Sequence, residues 1–167
     1  EAGILTDADR VELIEGEIIK MSPIGKQHAA CVNRLNSILN RKAGDAAIIS
    51  VQNPVRLDDY SEPQPDVALL RPREDFYSRE LPGAEDVLLI IEVADTSVEY
   101  DRSVKLPLYA KANISETWLA NIKEDRIEAY SQPVNGIYQN GRLVKRGESL
   151  SPESLPDLTI AVEEILG

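Results

Sequence analysis

Two apolar runs in the middle of the chain each carry an acidic residue at one end. Asp66, directly after Pro65, precedes the run Val67–Leu70, and Glu92 follows the run at residues 87–91. Apolar runs of this length are typical of buried strands. An acid buried beside apolar side chains is unfavourable unless a cation or a hydrogen-bond donor compensates for it. The two runs therefore suggest a divalent-metal site at the end of a buried sheet.

The size and cysteine content of the chain limit its architecture and its compartment. Its 167 residues, 43% of them hydrophobic, suffice for one compact domain, so we predict a single domain over residues 1–167. No apolar stretch approaches the ~20 residues that span a bilayer, and residues 1–4 lack the features of a signal segment. Cys31 is the single cysteine, which excludes an intramolecular disulfide. These features predict a cytoplasmic protein without a membrane anchor.

The charge and the motif content exclude several function classes. A net charge of −11 and a pI near 4.6 oppose diffuse binding to a phosphate backbone. Acidic side chains that hold a metal ion are an exception, because they become partners of the metal. The chain has neither a glycine-rich phosphate loop nor a Gly-x-Ser-x-Gly elbow, which disfavours nucleotide-dependent phosphotransfer and esterase chemistry. With one histidine and one cysteine, a zinc site is also disfavoured.

The first half of the chain predicts a hairpin, a helix and short strands. Residues 11–14 and 17–21 alternate around Glu15-Gly16, which is typical of a β-hairpin. Apolar residues recur at three- and four-residue spacing over residues 28–42, with Gly44 as a stop signal, which predicts a helix. Strands are expected at residues 46–51 and 54–57, and a polar loop at residues 58–63 leads to the strand after Asp66.

The second half predicts helices alternating with strands. After a charged loop at residues 71–86 and the second apolar run, Thr96 and Glu99 match a capping box. A helix is expected from there to about residue 112, although Pro107 is discordant with it. Strands are expected at residues 117–120 and 126–130, and a short helix at residues 162–166. The order of elements predicts a mixed β-sheet flanked by helices, of the α/β or α+β class, with an N-terminal β-hairpin.

Several ordered motifs resemble one known family. They are Val11-Glu12-Leu13-Ile14-Glu15-Gly16-Glu17-Ile18, Ser22-Pro23 with His28, Gln64-Pro65-Asp66-Val67, Ile91-Glu92-Val93, Asp101-Arg102 with Lys105 and Tyr109, and Glu116-Thr117-Trp118-Leu119. Together they resemble the Uma-two family of restriction-endonuclease-like proteins. The resemblance covers roughly residues 10–143, and its specificity lies in the ordered set, because no single motif is decisive.

The resemblance implies a PD-(D/E)XK nuclease fold, with a four-stranded mixed sheet, helices on both faces, dimeric assembly and magnesium. Asp66 and Glu92 match the two acids of that signature. The lysine expected two residues after Glu92 is replaced by Ala94, and Lys105 on the following helix is the matching position in the family resembled.

The resemblance also implies a role for each matching residue. Asp66, Glu92 and the backbone carbonyl of Val93 would hold magnesium, or manganese, against a phosphate oxygen. Lys105 would orient the attacking water or offset the charge that develops on the phosphate. The chain is accordingly predicted to be a metal-dependent DNA endonuclease that acts as a homodimer.

Three further residues are candidates for accessory roles. Glu12, and with less support Glu17, would add a carboxylate from the opening hairpin. His28 would contact phosphate or a metal-bound water near a helix N-terminus, or would cap that helix. A His28–Cys31 dyad is possible by spacing, but a cysteine among apolar residues is more simply a core residue.

Alternatives to the catalytic interpretation remain open. A Pro-Asp pair is also typical of a turn that enters a strand. Glu92 could form a structural ion pair with Lys105 or Arg102, and the chain would then be a non-catalytic nuclease-fold domain that acts as a binding or scaffold module. An interaction module that uses residues 71–86 is a third interpretation, without residue-level support.

Overall fold

The core of the fold is a six-stranded mixed sheet. The computed structural model describes residues 10–167. The prediction that residues 1–4 lack a signal segment concerns residues outside this range. Strand order is β3-β4-β5-β6-β7-β8, in which β5 and β6 are parallel and every other neighbouring pair is antiparallel. The strands are β1 Val11–Ile14, β2 Glu17–Lys20, β3 Ile48–Val51, β4 Val67–Leu70, β5 Val87–Ala94, β6 Glu116–Asn121, β7 Arg126–Val134, β8 Ile137–Lys145, β9 Ser149–Leu150 and β10 Ile160–Ala161.

Helices flank the sheet and complete the predicted mixed architecture. They are α1 Lys26–Ala43, α2 Val98–Tyr100, α3 Leu106–Lys111 and α4 Val162–Leu166, with a π-helical turn, Asp101–Lys105, between α2 and α3. The predicted class, a mixed sheet flanked by helices, is confirmed. The predicted N-terminal β-hairpin is also present, because β1 and β2 pair around Glu15-Gly16. No helix within residues 10–167 is long and apolar enough to cross a membrane.

Two apolar layers hold the helices to opposite faces of the sheet. On one face, Leu35 and Leu39 of α1 pack with alternate residues of the central strands, such as Leu69 and Ile91. On the other face, Tyr109 of α3 packs with residues such as Ile90. Because side chains alternate across a strand, β4 and β5 are buried on both sides and consist almost entirely of apolar residues. Any charged group in these strands is therefore held in a dry, rigid setting.

The number of strands differs from the expectation. The resemblance implies four strands in the main sheet, and the structure has six. Strand β8 carries no alternating apolar signal, because most of its residues are exposed and Val144 alone of them is buried. Its pairing with β7 therefore depends on the backbone ladder rather than on burial.

One local prediction is wrong, and another is correct in extent but not in regularity. Residues 54–57 form no regular strand, because Val55 and Leu57 donate their backbone N–H groups to Pro63 and Ser61 and so close a local turn. The helix predicted from Thr96 to about residue 112 is present as a continuous helical run over residues 98–111. It consists of α2, the π-helical turn and α3, and Ser97 rather than Thr96 precedes its first residue. Pro107, which has no N–H to donate, lies in the first turn of α3, the position in a helix that tolerates proline.

Candidate active site

The antiparallel pairing of β4 and β5 brings the two sequence-predicted acids together. Val67 is in register with Ile91, so Asp66, one residue before Val67, lies opposite Glu92, one residue after Ile91. The backbone N–H of Asp66 donates to Oε2 of Glu92 at 3.2 Å, and that of Val93 donates to Oδ2 of Asp66 at 3.0 Å. Each carboxylate is thus fixed by the backbone of the opposite strand.

Asp66 is ionised and is held by two further side chains. Its Oδ2 lies 2.9 Å from Nε2 of His28, and its Oδ1 accepts a hydrogen bond from Nε2 of Gln52 at 3.1 Å. Burial alone would raise the pKa of Asp66, but the hydrogen bonds from His28, Val93 and Gln52 outweigh it and lower the pKa. The same contact raises the pKa of His28.

Lys105 lies at the end of the π-helical turn and reaches into the same cluster. Its Nζ is 3.2 Å from Oε1 of Glu92 and 2.9 Å from Oε2 of Glu12. Burial alone would lower the pKa of Lys105, but the charges of Glu92 and Glu12 outweigh it and raise the pKa, so the side chain is an ammonium ion. The hydroxyl of Tyr109 also donates to Oε1 of Glu92, at 2.5 Å.

The cluster contains more acids than its cations balance. Burial raises the pKa of Glu92 and that of Asp101, and in each case the charge of Asp66 adds to the effect while Lys105 opposes it. Asp101 is buried and accepts a hydrogen bond from Oγ of Ser97 at 2.6 Å. An additional cation would therefore stabilise the ionised form of these carboxylates.

A cavity of about 530 Å³ opens onto the cluster. Its charged lining consists of five acids, Glu12, Asp66, Glu92, Asp95 and Asp101, and of Arg10, Lys20, Lys105 and His28. Across residues 10–167, no three His, Cys, Asp or Glu side chains are already grouped around one point as metal ligands. By donor chemistry, however, Asp66, Glu92 and the Val93 carbonyl are the hard oxygen ligands that magnesium prefers. These residues fit such an ion if the ion replaces His28 as the partner of Oδ2 of Asp66.

Most of the predicted site residues lie together, and one does not. Asp66, Glu92, Val93, Lys105, Glu12 and His28 all line the cavity, whereas Glu17 is exposed at the start of β2 and is not part of its lining. Cys31 is fully buried among apolar residues, and this burial raises its pKa to about 12. The His28 ring contacts Asp66, so the structure gives no support to a His28–Cys31 dyad.

Reasoning from the sequence gave no role at the site to three residues of the cluster. Gln52 contacts Asp66 from a left-handed backbone conformation, φ 53°, which is uncommon for a side chain of its type. Tyr109 packs in the apolar layer under α3, and its hydroxyl also contacts Glu92. Asp101 follows α2 in a turn that the expected regular helix would not contain. A glutamine before Asn53-Pro54 and a tyrosine four residues after Lys105 were the available signals.

Comparison with known proteins identifies a family and supports the fold. The sequence profile of the Uma2 family, described as "Putative restriction endonuclease", matches residues 4–163. Among solved structures, the chain is similar to a "putative nuclease belonging to DUF820" from Anabaena variabilis, with a TM-score of 0.73 and 16% sequence identity. That likeness covers 93% of this chain and 89% of the other, and at this identity it shows the fold alone. No curated protein matches the chain.

Proposed function

The chain belongs to the Uma2 family of "putative restriction endonucleases", and from this premise we propose that it is a metal-dependent endonuclease that hydrolyses phosphodiester bonds in DNA. One observation carries the proposal: Asp66, Glu92 and Lys105, from three separate elements, meet at one end of a cavity large enough for a phosphate and its neighbours. A structural ion pair alone would not require a second acid opposite Glu92 or an opening to solvent.

Asp66, Glu92 and the carbonyl of Val93 are the proposed ligands of a magnesium or manganese ion. When bound there, such an ion would polarise the phosphate and lower the pKa of an attacking water. The strands that carry these groups are buried and hydrogen-bonded to each other, so the ligands are preorganised. His28 would leave Oδ2 of Asp66 when the ion binds.

Lys105 is proposed to act as a fixed positive charge. Its ammonium group has three N–H donors, and Glu12 and Glu92 accept two of them. The third can be donated to a phosphate oxygen or to the attacking water, which requires no change in the protonation of Lys105. Glu12 thereby contributes from the opening hairpin, by holding the ammonium rather than by binding the metal.

His28 is a proposed phosphate contact. It lies in the first turn of α1, whose N-cap residue, Gly25, provides no side-chain hydrogen bond to the helix. The positive end of the helix favours a phosphate group at this side of the cavity, and the His28 ring, once released from Asp66, can donate a hydrogen bond to it. The ring Nδ1 is buried without a hydrogen-bond partner among residues 10–167, which leaves it available for a group of the substrate. Since each chain carries one such cluster, cleavage of both strands of a duplex would be served by a homodimer.

A cleavage assay tests the proposal. Purified wild type is incubated with supercoiled plasmid and with single-stranded DNA, in magnesium or manganese, beside Asp66→Ala and Lys105→Ala. Exposed Asp45→Asn and Lys111→Ala are the matched controls, since each removes a charge of the same sign away from the cavity. We expect nicking or linearisation by wild type and by both controls, and loss of it in both cavity variants.

A second candidate function is a non-catalytic domain that keeps the nuclease fold. It is favoured by one observation, that Glu12, Glu92 and Lys105 already satisfy one another as a buried ion-pair network. A thermal unfolding titration with magnesium separates the two. If the chain is a metal-dependent endonuclease, millimolar magnesium should raise the midpoint temperature of unfolding of wild type but not that of Asp66→Ala. If magnesium does not change the midpoint temperature of unfolding of wild type, and no substrate is cleaved, the binding or scaffold module would be favoured.

A further inference from the structure

A second buried carboxylate lies on the same face of the sheet as Glu92. The strand register pairs Glu92 of β5 with Leu119 of β6, and Leu119 with Glu128 of β7. Residues in register point to the same face, so Glu92 and Glu128 are two strands apart on the face that α3 and the π-helical turn cover. At about 4.8 Å per strand, their backbones are roughly 10 Å apart.

Glu128 is a buried acid that is held by several hydrogen-bond donors. It is 2% exposed, and its carboxylate accepts hydrogen bonds from Arg102, Arg126 and Tyr130. The Nε of Arg102 donates at 3.0 Å and its Nη2 makes a second contact, which is the bidentate geometry of a strong arginine–carboxylate pair. The side chains of Arg102 and Arg126 are similarly exposed, at 28% and 24%.

The π-helical turn therefore has two basic residues, three positions apart, each bound to a buried acid of the sheet. Lys105 contacts Glu92, and Arg102 contacts Glu128. We propose that Arg102 and Glu128 form a positioning pair, which anchors the π-helical turn to β7 and so holds the ammonium of Lys105 at Glu92. This inference rests on the proposed function for its effect on activity, but not for its effect on the position of Lys105.

The helical run that carries Lys105 is irregular at that point. Residues 98–111 are helical throughout, but the middle turn, Asp101–Lys105, is π-helical, a geometry that is rare outside single turns. Lysine also has a flexible four-carbon side chain, so its own rotamer does not fix the ammonium, and the position depends on the backbone and on the partners of the side chain. The planar guanidinium of Arg102 binds Glu128 on the rigid strand β7, and this contact attaches the turn to the sheet. Ser97 and Asp101 restrain its start, but their contact lies within the same segment.

Steady-state kinetics of Arg102→Ala provide the first arm of the test. We expect kcat to fall about 10- to 100-fold, since a displacement of about 1 Å can cost about 100-fold, while KM stays close to wild type. Arg102→Lys, which keeps the charge without the fork, is expected to recover part of this loss. The matched control is Arg126→Gln, which removes another partner of the same carboxylate but lies on β7 and not on the turn. Its kcat is expected to stay near wild type.

Chemical labelling of lysine provides a second arm that needs no nuclease activity. Folded wild type, Arg102→Ala and Arg126→Gln are treated with an amine-reactive reagent, and the modification of Lys105 is measured by mass spectrometry relative to exposed Lys111. We expect Lys105 to be protected in wild type and in Arg126→Gln, and several-fold more modified in Arg102→Ala. Circular dichroism confirms that all three are folded.

The outcomes separate the two proposals. If Lys105 is modified equally in Arg102→Ala and Arg126→Gln, the positioning pair is overturned, whatever the activity. If wild type cuts no DNA but Arg102→Ala alone exposes Lys105, the positioning pair stands and the proposed function fails. An equal loss of kcat in both arginine variants would also overturn the inference, because the effect would then reflect the charge around Glu128 and not the anchoring of the turn.

Discussion

The Nζ atom of Lys105 lies 3.2 Å from Oε1 of Glu92, although the two residues are 13 positions apart and belong to different elements. The residue two positions after Glu92, where the nuclease signature has its lysine, is Ala94, which is fully buried on the same face of β5. Lys105 lies instead at the end of the π-helical turn. The turn places the ammonium of Lys105 beside the carboxylate of Glu92. The lysine–acid pair is therefore present, although the two residues do not have the spacing of the nuclease signature.

The first prediction concerns the cost of removing this ammonium. Lys105→Met keeps the length of the side chain but leaves Glu92 and Glu12 buried without their cation. We expect the free energy of unfolding to fall by about 3–5 kcal/mol, the usual cost of removing one partner of a buried ion pair. Denaturant titration monitored by circular dichroism at pH 7 measures it.

A double variant and a matched control make this prediction specific. Adding Glu12→Gln to Lys105→Met removes one of the two stranded charges and should restore part of the lost stability. Lys111→Met, which breaks an exposed pair with Glu15, should change stability little. Equal losses in Lys105→Met and Lys111→Met would show that the buried network does not hold the fold together.

The second prediction concerns Gln52 and metal affinity. Its side chain donates to Oδ1 of Asp66 at 3.1 Å and so orients a proposed metal ligand without itself binding the metal. Gln52→Ala is expected to weaken manganese binding about 10- to 100-fold, as is typical when a partner of a metal ligand is removed. Isothermal titration calorimetry with manganese measures the affinity.

Two further variants separate this contact from backbone effects. Asn53→Ala is the matched control, because the neighbouring amide contacts Ser50 rather than Asp66 and should leave the affinity unchanged. Gln52→Gly removes the same hydrogen bond but relaxes the left-handed backbone. It should therefore lose the same affinity as Gln52→Ala while losing less stability. Unchanged binding in both Gln52 variants would remove this residue from the site.

The features of the fold that could be predicted from sequence are those that depend on local pattern. The helix containing Leu35 and Leu39 and the opening hairpin each have a clear periodicity, the strand after Asp66 is a continuous apolar run, and all three are present. The meeting of Asp66 and Glu92 also followed, because two adjacent buried strands with acids at opposite ends need only pair antiparallel to bring them together.

What could not be predicted depends on contacts between distant segments. The register that puts Glu128 on the face of Glu92 is a property of three paired strands, and no spacing in the sequence encodes it. The π-helical turn that carries Lys105 interrupts an otherwise α-helical run, and its side-chain contacts, Arg102 with Glu128 and Lys105 with Glu92, join segments distant in the sequence. The positive φ of Gln52 likewise reflects its hydrogen bonds to Asp66 rather than its own preference.

The third prediction concerns the hydroxyl of Tyr109. This group donates to Oε1 of Glu92 at 2.5 Å inside the core. Because burial raises the pKa of Glu92 to about 7, stability is measured above that pH, where Glu92 is ionised and a hydrogen bond to it contributes about 1.5–3 kcal/mol. Tyr109→Phe should lower the free energy of unfolding by about that amount. Tyr138→Phe is the control, because its hydroxyl contacts Thr117 and the Ile114 carbonyl, which are neutral, and should cost about 1 kcal/mol. A smaller loss for Tyr109→Phe than for Tyr138→Phe would contradict a charged Glu92.

The fourth prediction concerns acid stability and Glu128. Burial alone would raise the pKa of this carboxyl, but hydrogen bonds from Arg102, Tyr130, Arg126 and Asn121 outweigh it and lower the pKa to about 2 from an ordinary value of 4.5. Because the pKa is lower in the folded state, the ionised carboxylate stabilises the fold above pH 4.5, and this contribution is lost as the pH falls towards 2. The difference corresponds to about 3 kcal/mol.

Glu128→Gln removes this titration. We expect the variant to be less stable than wild type at pH 7 and the difference between them to shrink steadily between pH 4.5 and pH 2, because only wild type loses the ionised carboxylate. Urea titrations at pH 7, 5, 4 and 3 measure the difference directly, and exposed Asp45→Asn controls for the general effect of removing an acid. A difference that stays constant from pH 7 to pH 3 would mean that Glu128 keeps an ordinary pKa, and that the arginine contacts do not hold its charge.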